Sequence, residues 1–196
     1  MRAQALKQQS DFHFPIPWTS LGEYLEHLQQ LGITPNIASF VGATTVRIHE
    51  LGEDDVAPTP EQLSRMQDLV RAAMREGALG VGASLIYPPA FFAKTDELVA
   101  LAQAAAESGG GYVAHMRSEA DQFLPALEET ITIARATGQH AEAYHLKAAG
   151  ARNWPKMAKA VARIDQARSE GVDIAANMYA YTAGATGLTA ALPPWV

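Results

Sequence analysis

Two histidines stand in matched local settings in this sequence. His115 lies in Tyr112-Val-Ala-His-Met-Arg117, and His145 lies in Glu142-Ala-Tyr-His-Leu-Lys147. Each closes a short apolar run, and each is followed two residues later by a cation. Neutral imidazole is the commonest protein ligand for transition metals, so two imidazoles at equivalent positions can share one ion. A lone histidine of this kind is explained by a hydrogen bond to a backbone carbonyl beneath a loop. The matched pair favours a shared ligand. Arg117 and Lys147 could each hold a substrate carboxylate through a charge-assisted hydrogen bond. Glu119 is near enough in sequence to neutralise Arg117 instead. Lys147 also has a rival chemistry, Schiff-base formation from a buried amine, and the residues alone leave both uses open. Tyr87, in Leu85-Ile-Tyr-Pro-Pro89, offers a site hydroxyl or packs on its prolines. His13, His27, His49 and His140 read as structural or solvated, with His49 in a loop, and Trp154 reads as packing.

Such residues need a scaffold that brings distant segments to one place, and the chain alternates regularly. A helix is expected over Leu21–Leu31, with Ser20 and Glu23 as a capping box and Gly32 as its stop. A second opens at Thr59-Pro60-Glu61-Gln62, again a cap with a first-turn proline. Others are expected over 96–108, capped by Thr95, and over 122–137 and 154–170. Strands are expected over 36–41, 79–86, 112–115, 141–145 and 172–178. Five strands alternating with five helices is the pattern of a parallel sheet with helical crossovers. Tyr87, His115, His145 and Tyr179 fall at strand carboxyl ends and recur about every 30 residues. That period fits a (β/α)₈ TIM barrel, whose active site is built at those ends. A doubly wound open sheet shares the alternation, but no glycine-rich phosphate loop opens any helix. The fold class expected is α/β, a partial barrel.

Composition narrows the function classes. The 196 residues carry a formal net charge of −6, which argues against a duplex-DNA partner. There is no cysteine, so neither a disulfide nor a thiolate-ligated metal can form within these residues. No apolar run has the roughly 18 residues of a membrane span, and no signal-peptide hydrophobic region is evident. A soluble, cytoplasmic protein is expected.

In its motifs the chain resembles the N-acyl-D-amino-acid deacylase (D-aminoacylase) family of metal-dependent amidohydrolases, from about Trp18 to Trp195. The resemblance rests on Ser39-Phe-Val-Gly-Ala-Thr-Thr-Val-Arg47, Glu76-Gly-Ala-Leu-Gly80 with Leu85-Ile-Tyr-Pro88, and Ala114-His-Met-Arg-Ser-Glu119. It continues through Tyr144-His-Leu-Lys-Ala-Ala-Gly150 with Asn153-Trp154, then Tyr179-Ala-Tyr-Thr-Ala-Gly184 with Leu192-Pro-Pro-Trp195. It implies a zinc-dependent hydrolase that deacylates N-acyl-D-amino acids by metal-activated water. It further implies that His115 and His145 are zinc ligands on the fifth and sixth barrel strands. Lys147 and Tyr87 are then expected to bind the substrate carboxylate.

The family's His-x-His pair, metal-binding cysteine, general-base aspartate and carboxylate-pairing arginine have no counterpart in this sequence. Residues 1–196 are therefore expected to form one incomplete barrel domain, about strands 3 to 7, with little turnover alone. Such an arc would associate with the missing strands or with itself. Two departures lie within the matched segments. Ala43 stands where many members have histidine, and Asn177 where many have aspartate. A lyase using Lys147, and a non-catalytic fragment completed by a partner chain, are the alternative readings.

Overall fold

The structure, a computed structural model, describes residues 14–187, 190 and 192. His13 and residues 193–195 of the last matched segment lie outside the described residues. In chain order the elements are α1 (Leu21–Leu31), β1 (Val41–Gly42), α2 (Ala43–Leu51), α3 (Pro60–Arg75), β2 (Gly80–Ser84) and α4 (Thr95–Ala106). There follow β3 (Gly111–His115), α5 (Phe123–Thr137), β4 (Ala141–Ala143), α6 (Lys156–Ser169) and β5 (Ile174–Ala176), with 3₁₀ turns at Ala90–Phe92 and Ala151–Asn153.

The helix starts follow local chemistry. Ser20 accepts the Glu23 N–H while Glu23 reaches back to the Ser20 N–H, and Gly32 closes α1 in the left-handed region at φ 71°. Thr59 and Gln62 form the same reciprocal cap on α3, with Pro60 in its first turn. Other expectations change, and the strands expected over 79–86, 141–145 and 172–178 shorten to Gly80–Ser84, Ala141–Ala143 and Ile174–Ala176. Thr95 lies inside α4 and sends its hydroxyl to Glu129 at 2.8 Å instead of capping the helix. Residues 36–40 are not strand, and pairing begins only at Val41.

Immediately beyond, α2 takes a segment read as a loop, so His49 sits in the last turn of a helix. Local signal for α2 is weak. Gly42 offers no capping side chain, and Thr44, Thr45, Val46 and Ile48 are mediocre helix formers. What holds α2 is burial of Ala43, Val46 and Arg47. Arg47 donates to Glu97 at 2.6 Å in a pair that is almost fully buried, and to the Val56 carbonyl. Burial pushes the Glu97 carboxyl above the usual glutamate range, while Arg47 pulls the other way.

All four strand pairings are parallel, and the order is β1-β2-β3-β4-β5 without reversal. A doubly wound sheet reverses its strand order at a switch point. This one runs on in sequence as the arc of a barrel does, so the partial-barrel expectation holds. Register explains the faces. Val81, Tyr112, Ala141 and Ile174 lie side by side across the sheet and are buried together in the main core. Gly42, Gly82, Val113, Glu142 and Ala175 share the opposite face. Strands β2 and β3 approach so closely at their start that a Cβ on Gly80 would lie 2.0 Å from the Gly111 carbonyl oxygen. Trp154, expected to pack, is 67% exposed. Among the described residues no helix is long and apolar enough to cross a membrane.

Candidate metal centre

The sheet's carboxyl end gathers the residues that spacing singled out. His115 is the last residue of β3. His145 lies two residues beyond β4, in a turn with φ 38°, a left-handed conformation that non-glycine residues adopt at a cost of order 1–3 kcal/mol. Three hydrogen bonds fix that turn. Tyr144 N–H donates to the Ala114 carbonyl at 2.9 Å, and Leu146 N–H to the Asn177 carbonyl at 2.8 Å. His145 N–H donates to Asn177 Oδ1 at 2.7 Å.

The result is convergence. His115 Nδ1 and His145 Nε2 stand 2.9 Å apart, with ring centroids at 4.6 Å. Glu119 Oε1 lies 3.0 Å from the other nitrogen of His145, Nδ1. Lys147 Nζ lies 2.5 Å from that same carboxylate oxygen, 3.0 Å from His145 Nδ1 and 3.1 Å from the His145 carbonyl. The Tyr87 ring is 6.0 Å from His115, and its hydroxyl is bonded to Thr186. The Tyr179 ring sits beneath Lys147, 5.5 Å from Nζ. Desolvation is the main force holding His115 below the usual histidine range. Glu119 opposes it, while His145 and Lys147 push the same way. The neutral ring is the form that binds metals.

His115, Glu119 and His145 offer donor atoms within 4.8 Å of one another, the one such group among the described residues. The two converging imidazole nitrogens fit the nitrogen-donor preference of zinc, while Glu119 lies by the other edge of His145.

The structure also redirects two residues. Arg117 does not reach Glu119. It forks onto Glu129, with Nε at 3.0 Å and Nη2 at 2.9 Å, and donates to the carbonyls of Phe91 and Ala93. It braces the loop after β2 against α5 and is spent there. Glu119 is thereby free for His145 and Lys147, a role that four-residue spacing from His115 in a loop gave no means of assigning. Asn177 is the other case. Its amide donates to Glu142 Oε1 at 2.6 Å while its oxygen takes the His145 N–H. An aspartate there could accept but not donate, so with Glu142 as neighbour the amide suits both partners. Ala43 is buried in the core. The remaining described histidines stay apart from the centre: His27 lies 4.9 Å from the Trp18 ring, and His140 bonds Asp173 at 2.9 Å.

No family model matches the chain. It is 32% identical over 166 residues to a D-aminoacylase of Alcaligenes xylosoxydans xylosoxydans, covering 85% of this chain and 34% of that protein. Among solved structures, N-acyl-D-glutamate deacylase from Bordetella bronchiseptica, complexed with zinc and a phosphonate inhibitor that mimics the reaction's tetrahedral intermediate, superposes with a TM-score of 0.81. That match has 32% identity and covers 92% of this chain and 37% of the other. A D-aminoacylase described as defining a novel subset of amidohydrolases gives a TM-score of 0.80 at 31% identity, over 84% of this chain and 35% of that one. The five parallel strands with their helices thus correspond to part of an amidohydrolase TIM barrel. Within that class, the chain belongs to the D-aminoacylase, or N-acyl-D-amino-acid deacylase, family over the part it spans. It spans about a third of the length of the curated relatives it matches.

Proposed function

We propose that this chain supplies the zinc-binding and carboxylate-binding end of a hydrolase that removes the acyl group from N-acyl-D-amino acids. The observation that carries the reading is the 2.9 Å approach of His115 Nδ1 to His145 Nε2, with the Lys147 ammonium alongside. His115 and His145 would hold the ion, each presenting one ring nitrogen. When bound, zinc polarises an amide carbonyl and lowers the pKa of its water toward about 7. Lys147 would bind the substrate's α-carboxylate as a charge-assisted donor, and Tyr87 would add its hydroxyl after releasing Thr186. Two anchors on one carboxylate would fix the amide relative to the histidines, and orientation of this kind lowers a barrier by several kcal/mol.

The described residues provide two imidazoles, whereas catalytic zinc usually has three protein ligands. The Glu119 carboxylate at this site is engaged by Lys147 and lies beside His145, and the aspartate that the resemblance makes the base has no counterpart in the sequence. Little turnover is therefore expected from the 196 residues alone. The lyase reading is less well supported. Lys147 is drawn into an ion pair with Glu119 and not set in an apolar pocket.

Zinc titration by calorimetry tests the proposal. One equivalent should bind, and His115→Ala or His145→Ala should each abolish binding. The zinc-loaded chain should hydrolyse N-acetyl-D-amino acids only at background rate. Absence of zinc binding, or binding indifferent to both histidines, would overturn the metal reading. Robust turnover would overturn the view that the site needs further residues.

A further inference from the structure

We infer that Glu142 is a positioning residue for the candidate metal centre, acting through the Asn177 amide on the backbone turn that presents His145. The inference rests on the metal reading above. His145 holds φ 38°, a conformation that a non-glycine residue keeps only when its surroundings fix it. Two consecutive N–H groups of that turn are taken by one residue. His145 N–H donates to Asn177 Oδ1 at 2.7 Å, and Leu146 N–H to the Asn177 carbonyl at 2.8 Å. Asn177 N–H in turn donates to the Ala143 carbonyl at 3.3 Å, which ties it to the end of β4.

An asparagine side chain can serve this turn in only one of its two orientations. Its oxygen accepts the His145 N–H, whereas its NH₂ in that place would meet it donor to donor. Glu142 removes the choice. It pairs in register with Ala175, and Asn177, two residues further on, returns to the same face of the sheet. There Asn177 Nδ2 donates to Glu142 Oε1 at 2.6 Å. A carboxylate only accepts, so it holds the NH₂ and leaves Oδ1 for His145.

The effect reaches the ring through the backbone. His145 lies two residues beyond β4, and the turn carries its ring to where Nε2 stands 2.9 Å from His115 Nδ1. Glu142 acts at one remove, so its contribution is to orientation and not to ligation. The same logic lets the amide and the carboxylate trade places. Asn177→Asp with Glu142→Gln still offers an oxygen to the His145 N–H and keeps a donor facing an acceptor between the two side chains. Asn177→Asp alone brings two acceptors together.

Two measurements on the 196-residue chain test this, with circular dichroism confirming that each variant is folded. In zinc titrations Glu142→Ala and Asn177→Asp should each bind about 10-fold more weakly. The double variant Asn177→Asp/Glu142→Gln should recover most of that loss, which a general loosening of the packing would not allow. In amide hydrogen exchange of the metal-free protein, the His145 N–H of Glu142→Ala should exchange about 10-fold faster, while the amides within β3 keep their protection. Unchanged zinc affinity or unchanged His145 exchange in Glu142→Ala would overturn the proposal, as would a double variant no better than Asn177→Asp. If the unaltered chain bound no zinc, the metal reading would fall. Faster His145 exchange in Glu142→Ala would then still support the hold of Glu142 on the turn, and unchanged exchange would overturn it.

Discussion

At the scale of single residues, what each side chain does here depends on who else is within 3 Å. Arg117 and Lys147 occupy the same place relative to a histidine in sequence, yet one is bound up in the scaffold and the other faces the site. The difference is Glu129 on α5, which gives Arg117 a forked partner and leaves Glu119 to Lys147. Asn177 illustrates the same dependence. Asn177→Asp would set two carboxylates at hydrogen-bond distance and remove the donor to Glu142. At this exposed position a loss of about 1 kcal/mol is expected, read as a lower urea midpoint with unchanged slope. A midpoint equal to or above that of the unaltered chain would contradict the view that the amide is there for Glu142.

At the scale of elements, α2 is the informative one. Its sequence is a poor helix, and its stability comes from what it packs on. The Arg47–Glu97 pair joins α2 to α4 inside the core, only 1% and 6% exposed. Removing one member strands the other as a buried charge, a loss of about 3–5 kcal/mol, whereas replacing both with apolar residues of similar volume is often neutral or stabilising. Arg47→Met should therefore destabilise the chain strongly, and Arg47→Met/Glu97→Leu should recover most of the loss in urea melts. A double variant no more stable than the single would mean that the pair holds α2 in place by its hydrogen bonds, including that to the Val56 carbonyl.

At the scale of the whole molecule, the sheet has two edges without a neighbour among the described residues. On one side β1 offers only Val41 and Gly42, and on the other β5 offers Ile174–Ala176. Beside the β1 edge lies a cleft of about 810 Å³ lined largely by apolar groups, among them Trp18, Leu21, Phe40, Val41 and Leu69. Helix α1 borders it and buries none of its own residues. Leu79, Tyr144 and Met178 are about half exposed. Open edges and apolar surface favour pairing with other chains. Light scattering coupled to size exclusion should therefore give an apparent mass above 21.0 kDa that rises with concentration. A constant single-chain mass would show that this surface is satisfied within the chain.

Much of this was legible beforehand because it is written in short-range chemistry. Ser20 with Glu23, and Thr59 with Gln62, specify helix starts within four residues, and glycines mark the stops. The alternation of elements then allows a parallel sheet, and the regular spacing of His115 and His145 points to the end of the sheet where the candidate site lies. What sequence could not supply were the contacts made across loops. The helix α2 was hidden because burial, not propensity, holds it. Whether Glu119 served Arg117 or Lys147 depended on where α5 delivered Glu129. The left-handed turn that aims His145 depends on Asn177, 32 residues away. Local capping and periodicity are properties of neighbouring residues, and a sequence contains them. A hydrogen bond to His145 Nδ1 depends on which side chains packing brings within 3 Å, and only the tertiary structure decides that.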